Sequence, residues 1–525
     1  MKQYIRNTFI CVLTATALSG CDDFLDTMPD NRTTLDTEDK IEKMITSAYL
    51  DHEYCTALEL MSDNTDDCGE KLTSPGRWYD DTFNWRDESE NDNACLKTFW
   101  ETAYSCIAAA NEALDALGPK PETEKGRQLR AEALLCRAYN HFMLGCIFCQ
   151  PWTDKAEQHL GLPYMKAPEK DLNPKYDRGN LADFYKNIQA DIEEALPYVS
   201  DSYYSVPKYH FNIKAAYAFA TRFYLYSQQW ENAISAATRC LGSDPSSMLR
   251  NWAAMEDMAT NYQAFSDAYI NASENANLLL ITGHSSLGVI FGPFEFCGRY
   301  NHSLSLAASE DLHADNIFGD YTNLRMGTHY YESSECNKLI LWKAAFKFEY
   351  TDLVAGVGIR HTVVPVLTTD ETLLNRAEAY IMTGQYNEAA ADLTMWMKNA
   401  ARTNSNLTPQ AIVNFYKRKN YSYYDDNGLL GTLKKHLNPA FEIDVEGSVQ
   451  ESMLQCLLSF RRIETIHQGL RWFDINRYGI EIPRRVMNER NQPFKKTDFL
   501  SKDDLRRVVQ LPQDVIVAGL EANPR

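Results

Sequence analysis

Residues 218–245 read AFATRFYLYSQQWENAISAATRCLGSDP, and residues 377–393 read AEAYIMTGQYNEAAADL. Each stretch contains a tyrosine, an aromatic residue six positions later and an alanine three positions after that. These residues are Tyr224, Trp230 and Ala233 in the first stretch, and Tyr380, Tyr386 and Ala389 in the second. Small residues let two helices approach closely, while aromatic side chains fill the space between neighbouring helix pairs. The pattern predicts two helix–turn–helix units.

This spacing follows the 34-residue repeat of the tetratricopeptide type. Chance agreement between two alanine-rich helices is the alternative, and the same spacing in both copies argues against it. Tyr224 and Tyr380 lie 156 positions apart, so the copies do not form a plain tandem array. The predicted fold is therefore mainly α: a tetratricopeptide-like helical-repeat scaffold with long irregular insertions that carry small β elements.

Further helices are predicted where apolar residues recur every three or four positions. These segments are 41–49, 98–117, 128–148 and 181–198. Between the helices lie three irregular insertions, at 62–97, 245–345 and 403–450. Asn427-Gly428 in the last insertion predicts a hairpin turn. Long loops in compact proteins are usually functional or disordered, and the aromatic content of these loops argues against disorder.

The charge balance of the chain argues against a nucleic-acid partner. The chain has 525 residues with 52 Lys and Arg against 72 Asp and Glu, a formal charge of −20. Such a surface repels phosphate backbones, and no basic run compensates for it, so we expect no nucleic-acid partner. The acidic balance fits a protein that handles uncharged ligands.

The N-terminus has the pattern of an export signal. Lys2 and Arg6 precede the apolar run 8–19, which is too short to span a bilayer of roughly 30 Å. The following Leu18-Ser-Gly-Cys21 resembles the lipobox of bacterial lipoproteins, and an ordinary secretory peptide is the alternative. We therefore predict a signal peptide at 1–20 and acyl chains such as palmitate on Cys21, which would hold the protein on a membrane by its lipid anchor only.

Several sequence blocks together resemble the SusD/RagB family of outer-membrane lipoproteins. The most specific is RRIETIHQGLRWFDINRYG at 461–479, and the others are CDDFLDTMP (21–29), LELMSD (58–63), ANEA (110–113), VQLP (509–512) and the final Asn523-Pro524. Two places depart from the family pattern: CIFCQPW at 146–152 replaces an aromatic turn, and Ser459-Phe460 replace acidic residues.

The resemblance implies one SusD-like body over residues 21–525. We divide it into an N-terminal part (21–245) with helical repeats and the first binding insertion, an insertion-rich part (246–370), and a C-terminal part (371–525) with the second repeat and the family block.

By the same resemblance, the protein would capture poly- or oligosaccharide and deliver it to a TonB-dependent, SusC-like outer-membrane transporter. Asp22 and Asp23 after the lipidated cysteine would favour display on the cell exterior. Two alternatives stay open: the same fold binding a peptide or other non-glycan nutrient, and a helical-repeat scaffold without a small ligand.

Glycan binding needs flat aromatic platforms and planar polar groups in a shallow cleft. The first insertion supplies such residues, and a second group lies further along the chain: Arg77, Trp78, Tyr79, Asn84 and Trp85, then Phe294, Phe296, Arg299 and Tyr300. The alternative to sugar binding is that these aromatic residues anchor their own loops to the protein body. Weaker candidates are Tyr330, Tyr331 and Trp342, and the hairpin tyrosines Tyr421, Tyr423 and Tyr424.

No catalytic motif or metal-like histidine cluster is found in the sequence, so we predict neither an enzyme nor a cofactor. Some acids are adjacent in sequence, such as Asp66-Asp67 and Asp80-Asp81, but adjacency does not place two carboxylates on either side of a glycosidic bond, as hydrolysis requires. Arg471 and Asp474 lie one helical turn apart, which indicates an ion-paired scaffold. The oxygen-rich segment 63–70 is a weak signal for calcium because it departs from the EF-hand loop.

Overall fold

The computed structural model describes residues 34–171, 174–258, 261–292, 298–332, 337–425, 428–488 and 490–525. Within them lie eighteen α-helices: α1 Glu38–Thr46, α2 Cys55–Met61, α3 Arg77–Phe83, α4 Leu96–Leu117, α5 Glu124–Phe148, α6 Leu181–Ala195, α7 Ile213–Tyr226, α8 Trp230–Leu241, α9 Trp252–Glu256, α10 Tyr262–Tyr269, α11 Leu287–Ile290, α12 Leu304–Glu310, α13 Thr369–Met382, α14 Tyr386–Ala400, α15 Pro409–Tyr416, α16 Val449–Thr465, α17 Leu470–Arg477 and α18 Gln513–Val517.

The strands are short and lie mostly in the insertions. They are β1 Asp66–Asp67, β2 Asn277–His284, β3 Tyr300–Asn301, β4 Thr328–Glu332, β5 Asn337–Leu341, β6 Lys347–Asp352, β7 Val357–Thr368, β8 Tyr423–Asp425, β9 Gly428–Leu430, β10 Ile482–Met487 and β11 Pro493–Leu500. They form sheets in the orders β11-β10-β1-β3 and β2-β7-β6, and the hairpins β4-β5 and β8-β9. The mainly α fold with small β elements is confirmed.

The two repeat copies form the helix pairs α7–α8 and α13–α14. Although long insertions separate them in sequence, α8 packs directly against α13. Ala233 and Ala389 are fully buried at these pairs, as close helix approach requires. The helices α4, α5 and α6 extend the helical body, with α5 packed between the other two. One hydrophobic core extends from Ile41 to Leu511.

The boundaries of the helices follow local chemistry. Helix α4 ends where Gly118 takes a φ of +65°, a conformation that costs glycine little. Helix α5 begins after Thr123, whose side-chain oxygen accepts a hydrogen bond from the backbone N–H of Gly126. The short connection between them makes α4 and α5 antiparallel neighbours. No helix among the described residues is both long enough and apolar enough to cross a membrane.

Buried arginine–carboxylate pairs join the packed helices. Arg137 on α5 binds Asp191 on α6, with both bonds at 2.7 Å. Arg222 on α7 binds Glu371 on α13, at 2.8 Å from Nε to Oε1, and connects the two repeat copies. Arg376 on α13 binds Asp392 on α14 at 2.8 Å. Each guanidinium fits its carboxylate with two parallel bonds, which fixes the relative position of the helices.

The 461–479 block forms the end of α16 and all of α17. It is ion-paired, as its composition predicts, but Arg471 and Asp474 take different partners. Asp474 accepts from Arg461 on α16 at 2.9 Å, whereas Arg471 reaches Asp63 after α2, at 2.8 Å. The block therefore connects the C-terminal helices to the N-terminal part of the chain.

A second buried cluster surrounds Glu310 at the end of α12. Its carboxylate lies 2.5 Å from Lys435 Nζ and 2.6 Å from Arg485 Nη1. Arg485 also binds Asp66 on β1 at 2.9 Å. Burial disfavours the charged carboxylate, but the positive charges of Lys435, Arg485 and Arg462 outweigh it and lower the pKa of Glu310 to about 2.

Replacing Arg222 by methionine should lower the free energy of unfolding by about 3–5 kcal/mol, because Glu371 would remain buried without a cation. The double variant Arg222→Met/Glu371→Gln should recover most of that loss. Urea unfolding measures both. Lys40→Met, which breaks an exposed ion pair with Asp36, is the control and should leave the curve nearly unchanged. Equal losses in the buried and exposed variants would contradict this account.

Stability should depend on the charge of Glu310 in acid. Because its folded pKa is depressed, its contribution is present above the ordinary value of 4.5 and is lost as the pH falls towards about 2. Glu310→Gln should therefore flatten the decline in unfolding free energy between about pH 5 and about pH 2. Parallel pH profiles for parent and variant would show that Glu310 does not carry this dependence.

Candidate functional site

The structure brings two predicted segments, 77–85 and 299–300, together at one place. Strand β1 pairs with β3, with Asp67 opposite Tyr300. The Tyr300 ring stacks on Phe83 of α3, with 3.8 Å between centroids and 8° between planes. The Tyr79 hydroxyl donates to the Tyr300 carbonyl, and Asn84 Nδ2 lies 3.4 Å from the Tyr300 hydroxyl. Sequence reasoning treated these segments as separate candidates.

Arg299 is fixed at the edge of this junction. Its guanidinium makes two bonds to Asp67, at 2.9 and 2.7 Å, and lies 5.2 Å from the centroid of the Tyr300 ring. Burial, together with the nearby Asp80 carboxylate, raises the pKa of Tyr300, so its hydroxyl stays protonated. Phe294 and Phe296 lie outside the described residues.

Trp78 and Trp85 do not form the exposed platforms that the sequence suggested. They are only 3% and 4% exposed, and Tyr79 is fully buried. Trp85 stacks against Arg484, 3.8 Å from the guanidinium carbon to the ring centroid, and its Nε1–H donates to the Met61 carbonyl at 2.9 Å. The aromatics of this insertion anchor it to the body, which was the alternative considered for them. The more exposed residues of the segment are polar: Arg77, Asn84 and Arg86.

A cleft of about 200 Å³ lies between this insertion and the C-terminal segment. Trp85, Leu96 and Leu511 are among the apolar residues that line it. Polar side chains also line it, including Arg86, Asn91, Lys97 and Gln510. The cleft thus combines apolar surface with planar amide and guanidinium groups.

Ion pairs and hydrogen bonds position the walls of the cleft. Asp81, which is buried, binds Arg86 at 3.0 Å and accepts from the Ser89 hydroxyl at 2.6 Å. The backbone N–H groups of Leu96 and Lys97, at the start of α4, donate to Glu88 at 3.0 and 3.1 Å. Across the cleft, Arg525 reaches Asp87 at 3.0 Å. These contacts hold the site in place before any ligand binds.

The weaker candidates are distributed over other surfaces. Tyr330 and Tyr331 lie on β4, and Trp342 is buried just after β5. In the hairpin region, Tyr421 stacks on His436 at 4.5 Å and Tyr424 accepts a hydrogen bond from Lys435. Tyr423 is exposed. Asn427 of the predicted turn lies outside the described residues, although Gly428 begins β9.

No group of His, Cys, Asp or Glu side chains in the described part of the chain is arranged to hold a metal ion. In the segment considered for calcium, Asp63, Asp66 and Asp67 are occupied by Arg471, Arg485 and Arg299. A cation there would have to displace these arginines. Cys21 and the signal peptide lie outside the described residues.

Sequence reasoning missed a tyrosine-rich segment between α6 and α7. Tyr198, Tyr203 and Tyr209 are all exposed there. The signal was present as four tyrosines within the twelve residues 198–209, but residue 198 was assigned to the end of a helix and residues 199–209 were given no role.

Comparison with known proteins finds similarity to SusD-like proteins. Residues 23–225 match the family model SusD-like_3, described as "Starch-binding associating with outer membrane". The SusD-like protein P2 of Formosa agariphila is 28% identical over 218 residues, which span 39% of this chain and 40% of that relative. The chain thus matches less than half the length of this curated relative.

Solved structures match over nearly the whole chain. A sugar-binding protein from Bacteroides vulgatus ATCC 8482 has a TM-score of 0.65 and 16% identity, covering 94% of this chain and 99% of its own. A SusD superfamily protein from Bacteroides thetaiotaomicron VPI-5482 has a TM-score of 0.58 and 17% identity, and the match covers 93% of this chain and 100% of that protein. A laminarin-binding SusD-like protein has a TM-score of 0.52 and 14% identity, and the match covers 93% of this chain and 98% of that protein. At these identities the structural likeness shows the fold.

Trp85→Ala should lower the free energy of unfolding by about 3–5 kcal/mol, because it empties a buried site and removes the stack on Arg484. Thermal or urea unfolding measures the loss. Tyr423→Ala, at a tyrosine that is 56% exposed, should leave stability nearly unchanged. If the two variants unfold alike, Trp85 is not an anchor of this insertion.

Proposed function

We propose that this chain is a SusD-like, cell-surface glycan-binding lipoprotein that delivers captured poly- or oligosaccharide to a TonB-dependent, SusC-like outer-membrane transporter. The match of residues 23–225 to a starch-binding family associated with the outer membrane carries this proposal. The insertion that forms one wall of the cleft, around Trp85 and Arg86, lies within the matched residues.

The chemistry of the cleft suits a sugar. Glycans present C–H faces and rows of hydroxyls, so they are bound by apolar surface combined with planar hydrogen-bonding groups. Val509, which lines the cleft and is half-buried, supplies apolar surface, and Arg86, Asn91 and Gln510 supply the planar polar groups. One of the structural neighbours binds laminarin, a glycan, which supports the same class of ligand.

Attachment through Cys21 is the second part of the proposal. Twelve residues lie between Cys21 and Thr34, where the described structure begins, so thirteen Cα–Cα steps join the two. At about 3.3–3.6 Å per extended residue they reach at most roughly 45 Å. After removal of residues 1–20 the formal charge becomes −22, since Lys2 and Arg6 are lost from a chain of −20. Anionic headgroups would repel this body, so we expect it to stand off the membrane on its tether.

The carboxylates near the cleft support binding over hydrolysis. Of the two acids that line the cleft, Asp87 is paired with Arg525, and Glu88 accepts from the backbone N–H groups of Leu96 and Lys97. Hydrolysis of a glycosidic bond needs one acid free to donate a proton and a second free to act as base or nucleophile. We therefore assign no catalytic residue. A peptide or other nutrient on the same fold, or a scaffold without a small ligand, remains the alternative function.

Arg86→Ala and Asn91→Ala should each weaken glycan binding on the order of tenfold, the effect of losing one hydrogen bond of about 1.4 kcal/mol. Affinity of the purified mature protein for a polysaccharide panel, by calorimetry or affinity electrophoresis, measures this. Arg418→Ala, an exposed arginine outside the cleft, is the matched control.

The outcomes separate the candidates. Undiminished binding by both cleft variants would place the glycan elsewhere on the protein. Peptide binding without glycan binding would select the peptide alternative. If neither class of ligand binds, the scaffold alternative is favoured.

A further inference from the structure

A second pocket lies at the other end of the α4–α5 pair from the cleft. Its volume is about 290 Å³, and it lies between the α4–α5 connection, the first turns of α5 and the end of α6. Pro119 and Pro121 stiffen one wall, and Ala131 and Leu134, both buried, form an apolar floor. Its polar lining consists of Lys120, Arg127, Arg130, Glu194 and Tyr198.

Three cations thus face one carboxylate in this pocket. Arg130 is engaged by Glu194, with Nη2 at 2.7 Å and Nε at 3.0 Å from the same oxygen. Arg127 is held at one nitrogen only, where Nη1 donates to the carbonyls of Glu122 at 2.7 Å and Pro121 at 3.5 Å. Its Nε and Nη2, and the ammonium of Lys120, make no hydrogen bond to the residues that the structure describes.

The missed tyrosine segment adjoins this pocket. Tyr198 lines it and is 51% exposed, with Tyr203 and Tyr209 following on the same surface segment. The segment is fastened to α5 through Glu132, which accepts from Tyr204 at 3.0 Å and lies 2.8 Å from His210 Nδ1. Tyr204 and His210 stack on one another at 4.3 Å. The exposed tyrosines therefore lie on a segment that these contacts fix to α5.

We infer that this pocket binds an anionic sugar residue, one that carries a carboxylate or a sulfate ester. A guanidinium with free N–H groups can donate two parallel bonds to an oxyanion, and Lys120 adds a second positive charge. Tyr198 and the apolar floor offer surface for the C–H face of the sugar ring. The inference rests on the proposed function, since it names a class of glycan that a glycan-binding protein would hold.

The overall negative charge does not oppose this binding at short range. In about 0.15 M salt the Debye length is roughly 8 Å, so acids on distant surfaces are screened from the pocket. The charges that act on a bound oxyanion are those lining the pocket, where cations outnumber carboxylates three to one. The acidic balance of the whole chain, which suggested uncharged ligands, is therefore a poor guide to this pocket.

Matched polymers test the inference. The mature protein should bind polygalacturonate at least tenfold more tightly than its fully methyl-esterified form if the pocket recognises a carboxylate. If it recognises a sulfate ester, it should bind a sulfated galactan at least tenfold more tightly than the desulfated form. The two pairs distinguish carboxylate from sulfate recognition. Arg127→Gln and Lys120→Gln should each remove most of the preference. Lys120 is exposed, so its variant keeps the test valid if the Arg127 variant fails to fold.

A gain of affinity provides a test that misfolding cannot imitate. Glu194→Gln removes the one carboxylate and releases Arg130, so it should raise affinity for the anionic polymer several-fold. Lys495→Gln, an exposed lysine on β11, should change nothing. Equal binding of charged and uncharged polymers, or a preference that survives both cation variants, would overturn the inference while leaving the proposed function standing. Failure to bind any glycan would overturn both.

Discussion

The packing of the helices depends on buried guanidinium groups that each meet a carboxylate, as Arg137, Arg222 and Arg461 do. Taking two charges out of water costs several kcal/mol for each ion, and the attraction between them repays this only with good geometry. Arg222 and Arg461 are fully buried, and their partners Glu371 and Asp474 are nearly or completely so. A helix that shifted along its neighbour would leave such charges unpaired. The pairs therefore select one register for each helix contact.

This constraint explains how distant parts of the chain assemble. Arg222 connects α7 to α13 across the insertion-rich part, and Arg471 connects α17 to Asp63 near the N-terminus. The hydrophobic faces of alanine-rich helices are similar to one another and would tolerate several arrangements. Paired charges distinguish between these arrangements, so the repeat copies can come together although α8 and α13 are far apart in sequence.

Sequence reasoning succeeded where the signal is local and failed where partners are distant. The periodicity of residues 98–117 and the Gly118 stop lie within the segment itself, and α4 has those boundaries to within two residues. Nothing local shows that α8 packs on α13 or that Arg471 meets Asp63. The same limit applies to Trp78 and Trp85: an aromatic residue in a loop suits a platform or an anchor equally well, and only the position of Arg484 and Met61 decides it.

The cleft and the cationic pocket around Lys120 and Arg127 lie at opposite ends of the α4–α5 helix pair. The cleft lies at the start of α4, beside Leu96, and the cationic pocket lies beyond its end, beside Lys120. A helix of 22 residues is about 33 Å long, so a short oligosaccharide would occupy one pocket, whereas a long chain could occupy both. Once the first pocket holds part of a polymer, the second binds at a raised effective concentration. Under the proposed function, weak contacts at each end would then add up to selective binding of long chains.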